Sequence, residues 1–516
     1  LTFVALAAPI KVWAIGGLEQ PLYGALLAWS LTSMYVLMAT PVTRADVAIR
    51  PALWASFAYG LLCLTRPDGP IFPAIGAGVL VLTGFSIGWR RSIKTAALVL
   101  VFPIAFSLAQ LLFRLTYYGE WVPNTALVKI APSSVHWQFG VEYLTDGFRA
   151  LSPWTEVIAV ALVALIVVPR TRYRGLLLAT TAVAWTGYVA VIGGDIFPAY
   201  RHFIPLIVVG AFTIAEAASL VATRLAHRPL WLAPVVLVSG LAFSPYVNGQ
   251  RDDKWIKRAM TERWEWQGKE VALLLKNSFW QQQPTMAVTA AGCLPYWSEL
   301  PALDMMGLND YYLPRHRPAG FGTGMVGHEL GDGAYVLSQR PDLIVFDVGS
   351  PGPSWRTGEQ LSAMPEFTER YVPVTAMTSP INYTAVIFID KYSTRIGIAR
   401  SAEALTVPAY LAIGPDAVAI LRDGALTLRI TGARPASVTF RAAADVRWTI
   451  DERLLASSGI EGRVTQQGEM VSVSLRSTRA EPVEIQRFVL TPAAAPRPLA
   501  GAPAASFAKA RARPLP

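Results

Sequence analysis

Long apolar runs alternate with short polar breaks along the first half of the chain, and this pattern ends near residue 247. A membrane-spanning helix needs roughly 20 apolar residues. Runs of about that kind predict helices near 19–40, 52–65, 70–89, 95–115, 154–169, 175–193, 202–223 and 229–247. Residues 1–17 are apolar but broken by Pro9, Lys11 and Gly16-Gly17, as expected for the end of an earlier helix or a helix lying along the surface. The 52–65 run reaches only about 21 Å at 1.5 Å per residue, short of a roughly 30 Å hydrocarbon core. Arg66 and Asp68, at its end, are therefore expected to sit below the outer surface.

Beyond residue 247 the periods shorten. Ile256, Met260, Trp264, Val271 and Leu274 recur near helical spacing and predict a helix leaving the membrane. Short apolar runs at 285–291 and 342–347 suit buried strands, which makes 248–400 a small α/β domain. From 401 to 492, alternating runs at 416–421, 426–430, 436–441, 446–450, 470–475 and 483–490 predict a small β-sandwich-like domain. Trp448 and Tyr410 in it suit either sugar stacking or the core, so it reads as a structural or glycan-binding accessory. The tail at 493–516, rich in Ala, Pro and Arg, is expected to be disordered. The fold class is thus a polytopic α-helical membrane domain over 1–247, with an α/β domain and a β-sandwich after it.

Composition agrees: of 516 residues, 53% are hydrophobic and 16% charged, with a mean hydropathy of +0.38. Soluble domains carry about 25% charged residues, which excludes an ordinary soluble protein. The net charge of +10 would point to nucleic acid if it were gathered on one soluble face. Many of the cations instead fall in short loops: Arg44 and Arg50; Arg90, Arg91 and Lys94; Arg170, Arg172 and Arg174; Arg224 and Arg228. These are alternate loops, and the positive-inside rule places them in the cytoplasm. No nucleic-acid partner is expected, and the region after 247 is expected on the extracytoplasmic side of the inner membrane. Cys63 and Cys293 lie in an apolar and a polar segment and are not expected to pair.

Four polar clusters fall on the outer edge. They are Gly17-Leu18-Glu19-Gln20-Pro21; Thr65-Arg66-Pro67-Asp68-Gly69; the stretch from Tyr117 to Lys129, with Asn124; and Gly193-Gly194-Asp195 running on to Arg201 and His202. Singly, each reads as a capping acid, a turn ion pair or a basic side chain reaching for headgroups. Together they set Arg66, Lys129 and Arg201 beside carboxylates at a membrane edge, where ionisable groups are costly and point to function. Arg makes bidentate phosphate contacts and Lys supplies a point charge, so the set suits a phosphate whose lipid tail lies in the bilayer. Such cations stabilise a leaving phosphate, and a carboxylate can take the proton of an attacking hydroxyl. Farther on, His328, Glu329 and Asp332 lack the paired-His or cysteine spacing of a metal site. No metal is assigned there. The segment is expected to be an outer loop, with Asn309, Asp310 and His328 as candidate acceptor-sugar contacts.

Gly17-Leu18-Glu19, Arg66-Pro67-Asp68, Tyr117-Tyr118-Gly119, Pro123-Asn124-Thr125 with Lys129, and Gly193-Gly194-Asp195 with Arg201, in this order, resemble the GT-C glycosyltransferases. The likeness is greatest to the actinobacterial terminal arabinofuranosyltransferases and related bacterial polyprenyl-phosphate-sugar transferases, and looser to mannosyl and aminoarabinose transferases. It covers roughly residues 10–210 and the patch from Asp304 to Asp310. The resemblance implies inverting transfer of a pentofuranose such as arabinose, or of a hexose, from a polyprenyl-phosphate donor to a cell-envelope glycan on the outer side. Donor, acceptor glycan and membrane lipid are then the partners. Arg66, Lys129 and Arg201 would hold the donor phosphate; Glu19, Asp68, Asn124, Asp195 and His202 would orient the sugar or support those cations. The family's catalytic acid lies in a first outer loop, expected upstream of Leu1, so no residue is assigned as the base. No cofactor is expected, and a divalent cation is left open. The alternatives are a lipid-linked glycan transporter, for which inverted repeats are not evident, and a non-catalytic membrane-anchored glycan-binding protein.

Overall fold

The computed structural model describes residues 2–39, 45–131, 133–225, 232–378, 382–401 and 403–493. Arg44, Arg228 and all but the first residue of the expected disordered tail lie outside the described residues. The chain divides into two compact units. The first is Leu1–Trp264 with Asp304–Gly333 and Trp355–Glu359; the second is Glu265–Leu303, Ala334–Ser354 and Gln360–Pro516.

The first unit is helical. After a short helix at Thr2–Leu6 come α1 (Ala8–Ala14), α2 (Gln20–Ala39), α3 (Ala45–Thr65), α4 (Ile71–Leu82), α5 (Trp89–Tyr118), α6 (Asn124–Lys129), α7 (Ser134–Ala150), α8 (Trp154–Val167), α9 (Arg172–Val191), α10 (Ile204–Leu225), α11 (Leu232–Asp252) and α12 (Lys254–Thr261). Its long apolar helices, α3 and α5 among them, are apolar on both faces. Along α3, Ala52, Ala55, Tyr59 and Leu62 are buried while Trp54 and Leu64 are exposed; along α5, Ala96, Val99 and Pro103 are buried while Ile104, Leu108 and Leu112 are exposed. Apolar residues on the inner face and large apolar ones on the outer face are what helices packed within lipid require.

Among the described residues, four helices are long and apolar enough to cross a membrane: Gln20–Ala39, Trp89–Tyr118, Arg172–Val191 and Arg201–Thr223. Ser134–Ala150 and Trp154–Val167, bent by 97°, make a fifth if they form one broken crossing. These correspond to four of the expected spans, and to a fifth in part. The other runs differ in detail. The run at 70–89 breaks after the 12-residue α4. The helix expected at 52–65 begins at Ala45 and holds Pro51 inside it. With 21 residues it reaches about 31 Å at 1.5 Å per residue, so a short helix does not account for the burial of Arg66 and Asp68. A membrane helix tolerates a proline such as Pro51 where neighbours re-satisfy the backbone.

In the second unit, α13 (Trp264–Phe279, its first residue still in the first unit) precedes strands β1 (Met286–Val288), β2 (Ala302–Asp304), β3 (Leu343–Val345), β4 (Tyr371–Met377), β5 (Thr384–Asp390), β6 (Ala399–Arg400), β7 (Leu405–Pro408), β8 (Ala417–Arg422), β9 (Ala425–Ile430), β10 (Ala436–Arg441), β11 (Trp448–Ile450), β12 (Ile460–Gln467), β13 (Met470–Ser477), β14 (Val483–Ile485) and β15 (Arg487–Pro492). Both apolar runs expected as strands are β1 and β3, fully buried and paired in parallel with Met286 opposite Leu343. The boundary expected at 400 is absent. β8, β9 and β14 extend the sheet of β1–β5, in the order β14-β9-β8-β4-β5-β3-β1-β2. The remaining strands form a three-stranded sheet, β10-β13-β12, and a four-stranded sheet, β11-β15-β7-β6. Alternation marks a strand but not its partner, and here β8 lies parallel to β4 with Ala419 opposite Ala376. One hydrophobic core, from Val271 to Leu490, takes residues from every one of these strands except β2 and β6. Trp448 and Tyr410 both pack in it.

Candidate functional site

The turn Arg66-Pro67-Asp68-Gly69 joins α3 to α4, with the Gly69 amide donating to the Arg66 carbonyl at 3.0 Å. A Cβ on Gly69 would lie 2.5 Å from the Leu62 carbonyl oxygen, so only glycine lets the turn fold back on α3. The turn carries Asp68 inward. Its carboxylate accepts from the Tyr23 hydroxyl (2.7 Å), the Tyr188 hydroxyl (2.9 Å) and Arg66 Nη2 (2.7 Å), with Arg66 Nε 3.0 Å from each oxygen. Arg66 Nη1 pairs with Glu19, which precedes the N-terminus of α2, where the helix dipole favours an acid. The first two clusters are thus one network.

The fourth cluster begins where α9 ends. Gly193 and Gly194 take positive φ values of 84° and 73°, and the Gly194 amide closes the helix on the Val189 carbonyl at 2.9 Å. A Cβ on Gly194 would sit 2.7 Å from that of Tyr143. Gly194→Ala combines a left-handed backbone with overpacking, and is expected to cost about 2–4 kcal/mol in thermal unfolding. A variant that melts with the wild type would contradict this. Past the glycines, Asp195 accepts from Arg201 Nη2 at 3.0 Å and pairs with its Nε. The Arg201 guanidinium lies 4.5 Å from the Phe197 ring and 5.9 Å from that of Trp13 on α1, within cation–π range. Its Nη1 has no hydrogen-bond partner among the described residues. His202 is buried: the Trp185 indole donates to its carbonyl at 2.7 Å, and its amide donates to the Tyr143 hydroxyl at 3.3 Å.

Lys129, the last residue of α6, joins the two networks. Its ammonium is 5.9 Å from the Phe197 ring that Arg201 covers from 4.5 Å. Burial pushes the Lys129 pKa below the ordinary lysine value; Arg201 adds to this and Asp195 opposes it, with smaller opposed effects from Arg66 and Glu19. Lys129 thus feels both Arg–carboxylate pairs, yet it forms no ion pair among the described residues. Three cations and three carboxylates from four separated segments meet in one region.

The loop 304–333 packs with the helices of the first unit. Asn124 does not stand open to a ligand: its amide nitrogen donates to the Asp310 carbonyl at 2.7 Å and its oxygen accepts from Arg315 Nη1 at 3.2 Å. Arg315 also pairs with Glu120, and Arg317 donates to the Leu127 carbonyl at 2.6 Å. Within the loop, Asp304 gathers the amides of Met306 (2.8 Å) and Asn309 (2.8 Å), and the Asp310 carboxylate accepts from the Leu313 amide at 2.7 Å. Asn309 is exposed; the His328 ring lies 4.5 Å from that of Trp355. Glu329 turns to His136 at 3.2 Å and accepts from the amides of Gly322 and Gly324, each at 2.7 Å. Among the described residues no group of His, Cys, Asp or Glu has the arrangement of a metal site.

Several residues of the site carry little sequence signal. Tyr23 and Tyr188, which hold Asp68, are each one hydroxyl among several inside apolar helices; only the four-residue step from Glu19 to Tyr23 hints at a shared helix face. Trp13 and Phe197, under Arg201, read as ordinary membrane-edge aromatics. The pairing of His136 with Glu329, 193 residues apart, has no local trace.

The chain resembles known proteins in two ways. Residues 256–396 match a domain of unknown function (DUF8728). Over 287 residues, 52% of the chain, the sequence is 26% identical to the terminal β-(1→2)-arabinofuranosyltransferase of Corynebacterium glutamicum, covering 37% of that protein. Over 178 residues, 33% of the chain, it is 32% identical to the protein of the same name from Mycobacterium tuberculosis, covering 26% of it. The likeness is to glycosyltransferases. It supports a related family, not a particular member, because the matched regions span well under half of either relative. No solved structure matches the chain significantly.

Proposed function

We propose that the protein is a membrane glycosyltransferase that moves a sugar, a pentofuranose such as arabinose or a hexose, from a polyprenyl-phosphate donor to a hydroxyl of a cell-envelope glycan outside the cytoplasmic membrane. The observation that carries this reading is Lys129, a half-buried cation with no ion-pair partner among the described residues, whose charge feels both Arg66 and Arg201. Like-charged groups held together in a partly desolvated place favour an anion between them. The relatives' names supply the reaction class. In the reaction, the acceptor oxygen bonds to the anomeric carbon as the bond from that carbon to the phosphate oxygen breaks. Polyprenyl phosphate leaves with the electron pair, and a carboxylate takes the acceptor proton. Inversion at that carbon follows from a single displacement. Arg66, Lys129 and Arg201 neutralise the leaving phosphate; Glu19, Asp68 and Asp195 hold the two arginines in place. Asn124 acts at one remove, by fastening the loop that carries Asn309, Asp310 and His328.

The test is transfer from a polyprenyl-phosphoryl sugar to a glycan acceptor by the protein in proteoliposomes, with pH as the variable. Phosphate binding stabilises protonated Lys129, so the pKa is higher in the complex than in the free protein. Donor affinity should therefore be level at low pH and fall as pH rises through the free-protein pKa, which lies below 10.5. Lys129→Arg should lose this alkaline fall, because guanidinium does not titrate there. No transfer from pentose or hexose donors, with no binding of polyprenyl phosphate, would overturn the reading.

A further inference from the structure

Arg201 is held by Asp195 and by the face of Phe197, and both belong to a segment that is itself bound from outside the site. The backbone and side chains of residues 196–200 receive or make three hydrogen bonds with α12 and its capping residue. Arg258 Nη1 donates to the Ile196 carbonyl at 3.0 Å, the Ala199 amide donates to the Trp255 carbonyl at 3.2 Å, and the Tyr200 hydroxyl donates to Asp253 Oδ2 at 2.7 Å. The other oxygen of Asp253 caps α12, accepting from the amides of Trp255 (2.8 Å) and Ile256 (2.9 Å). One carboxylate thus starts the helix and grips the residue before Arg201. Ala199 and Tyr200 both sit in the left-handed region, at φ 55° and 47°, a conformation that persists only where the surroundings hold it. At its other side α12 is tied to α7 by Lys254 and Asp146 at 3.0 Å.

We propose that α12 is a positioning clamp for Arg201, with the Tyr200–Asp253 hydrogen bond as its latch. The proposal rests on the reading of Arg201 as a phosphate contact. A helix that merely covered apolar surface would need Ile256, which is buried, and no more. Here three polar contacts fall on the one segment between Asp195 and Arg201, and they fix the Phe197 ring beneath the guanidinium. Releasing the latch lets the two left-handed residues relax, and that moves Arg201 away from Lys129 without removing any charge from the site. Tyr200 and Asp253 are positioning residues and touch no substrate.

The experiment measures binding of geranyl phosphate, geraniol and inorganic phosphate to the full chain in lipid nanodiscs, with thermal unfolding alongside. Tyr200→Phe removes the latch hydroxyl, and Asp253→Asn keeps the helix cap, since Asn caps as well as Asp, while weakening the latch. Each should bind geranyl phosphate about tenfold more weakly with geraniol binding unchanged, and the double variant should be no weaker than either single one. Inorganic phosphate weakened to the same degree supports a clamp acting on the phosphate contact alone. Equal loss for geraniol and geranyl phosphate, or additive losses in the double variant, would overturn the clamp. If Arg201→Ala loses geranyl phosphate while Tyr200→Phe binds like the wild type, the clamp fails and the phosphate reading stands. If Arg201→Ala binds like the wild type, the phosphate reading itself fails.

Discussion

Replacing Arg201 with alanine should lower sugar transfer by roughly 10²–10³-fold, the loss seen when one fixed donor to a developing negative charge is removed. Arg201 brings a guanidinium 4.5 Å from an aromatic ring, with an Nη1 that has no hydrogen-bond partner among the described residues, and a place near Lys129, which forms no ion pair among them. The same change strands Asp195, whose side chain is only 5% exposed, so part of the effect is a buried carboxylate without its partner. Arg201→Lys separates the two causes. It keeps a cation for Asp195 but gives up the planar fork, so folding should be nearly restored while transfer stays well below wild type. Transfer by Arg201→Lys equal to the wild type would mean that only charge is needed there. Undiminished transfer by Arg201→Ala would remove this residue from the phosphate site.

What could be read from the sequence divides along a physical line. Apolar runs without interruption, such as those of α2, α5, α9 and α10, announce themselves by composition. The start of α3 did not, because Pro51 and Arg50 resemble a boundary and their accommodation depends on neighbouring helices. Strands β8 and β9 were legible as strands, while the single run expected at 483–490 splits into β14 and β15 in different sheets. The placing of β8 beside β4, β9 beside β8 and β14 beside β9 follows from register across the whole unit. β12 escaped because its inward positions are Ile460, Gly462, Val464 and Gln466, so burial alternates along Ile460–Gln467 while hydrophobicity does not. The site shows the same division. Arg66 with Asp68 and Asp195 with Arg201 are two and six residues apart, so local turns decide them. Glu19 with Arg66, the two tyrosines on Asp68 and the α12 contacts depend on tertiary packing. Asn124 was legible as a polar outlier and not as a loop fastener, since its partners are backbone carbonyls that every residue has and a guanidinium 191 residues away.

Asp68→Ala should be the most destabilising single change in the site. Asp68 is buried, with 4% of its side chain exposed, and it is the shared acceptor for Tyr23, Tyr188 and Arg66. Alanine leaves Arg66 with Glu19 alone and leaves two phenols facing an apolar gap, one of them Tyr23, which is fully buried. Breaking a buried pair from one side costs about 3–5 kcal/mol, against about 1 kcal/mol for one ordinary hydrogen bond. Tyr23→Phe or Tyr188→Phe should therefore each have only a small part of the effect. Asp68→Asn keeps the shape and one acceptor but loses the charge, and should fall between. Thermal unfolding in nanodiscs measures the order, and transfer should vanish with Asp68→Ala because Arg66 is no longer aimed. If Asp68→Ala melted with Tyr23→Phe, the carboxylate would be a surface ion pair in effect, and Arg66 would owe its position to Glu19.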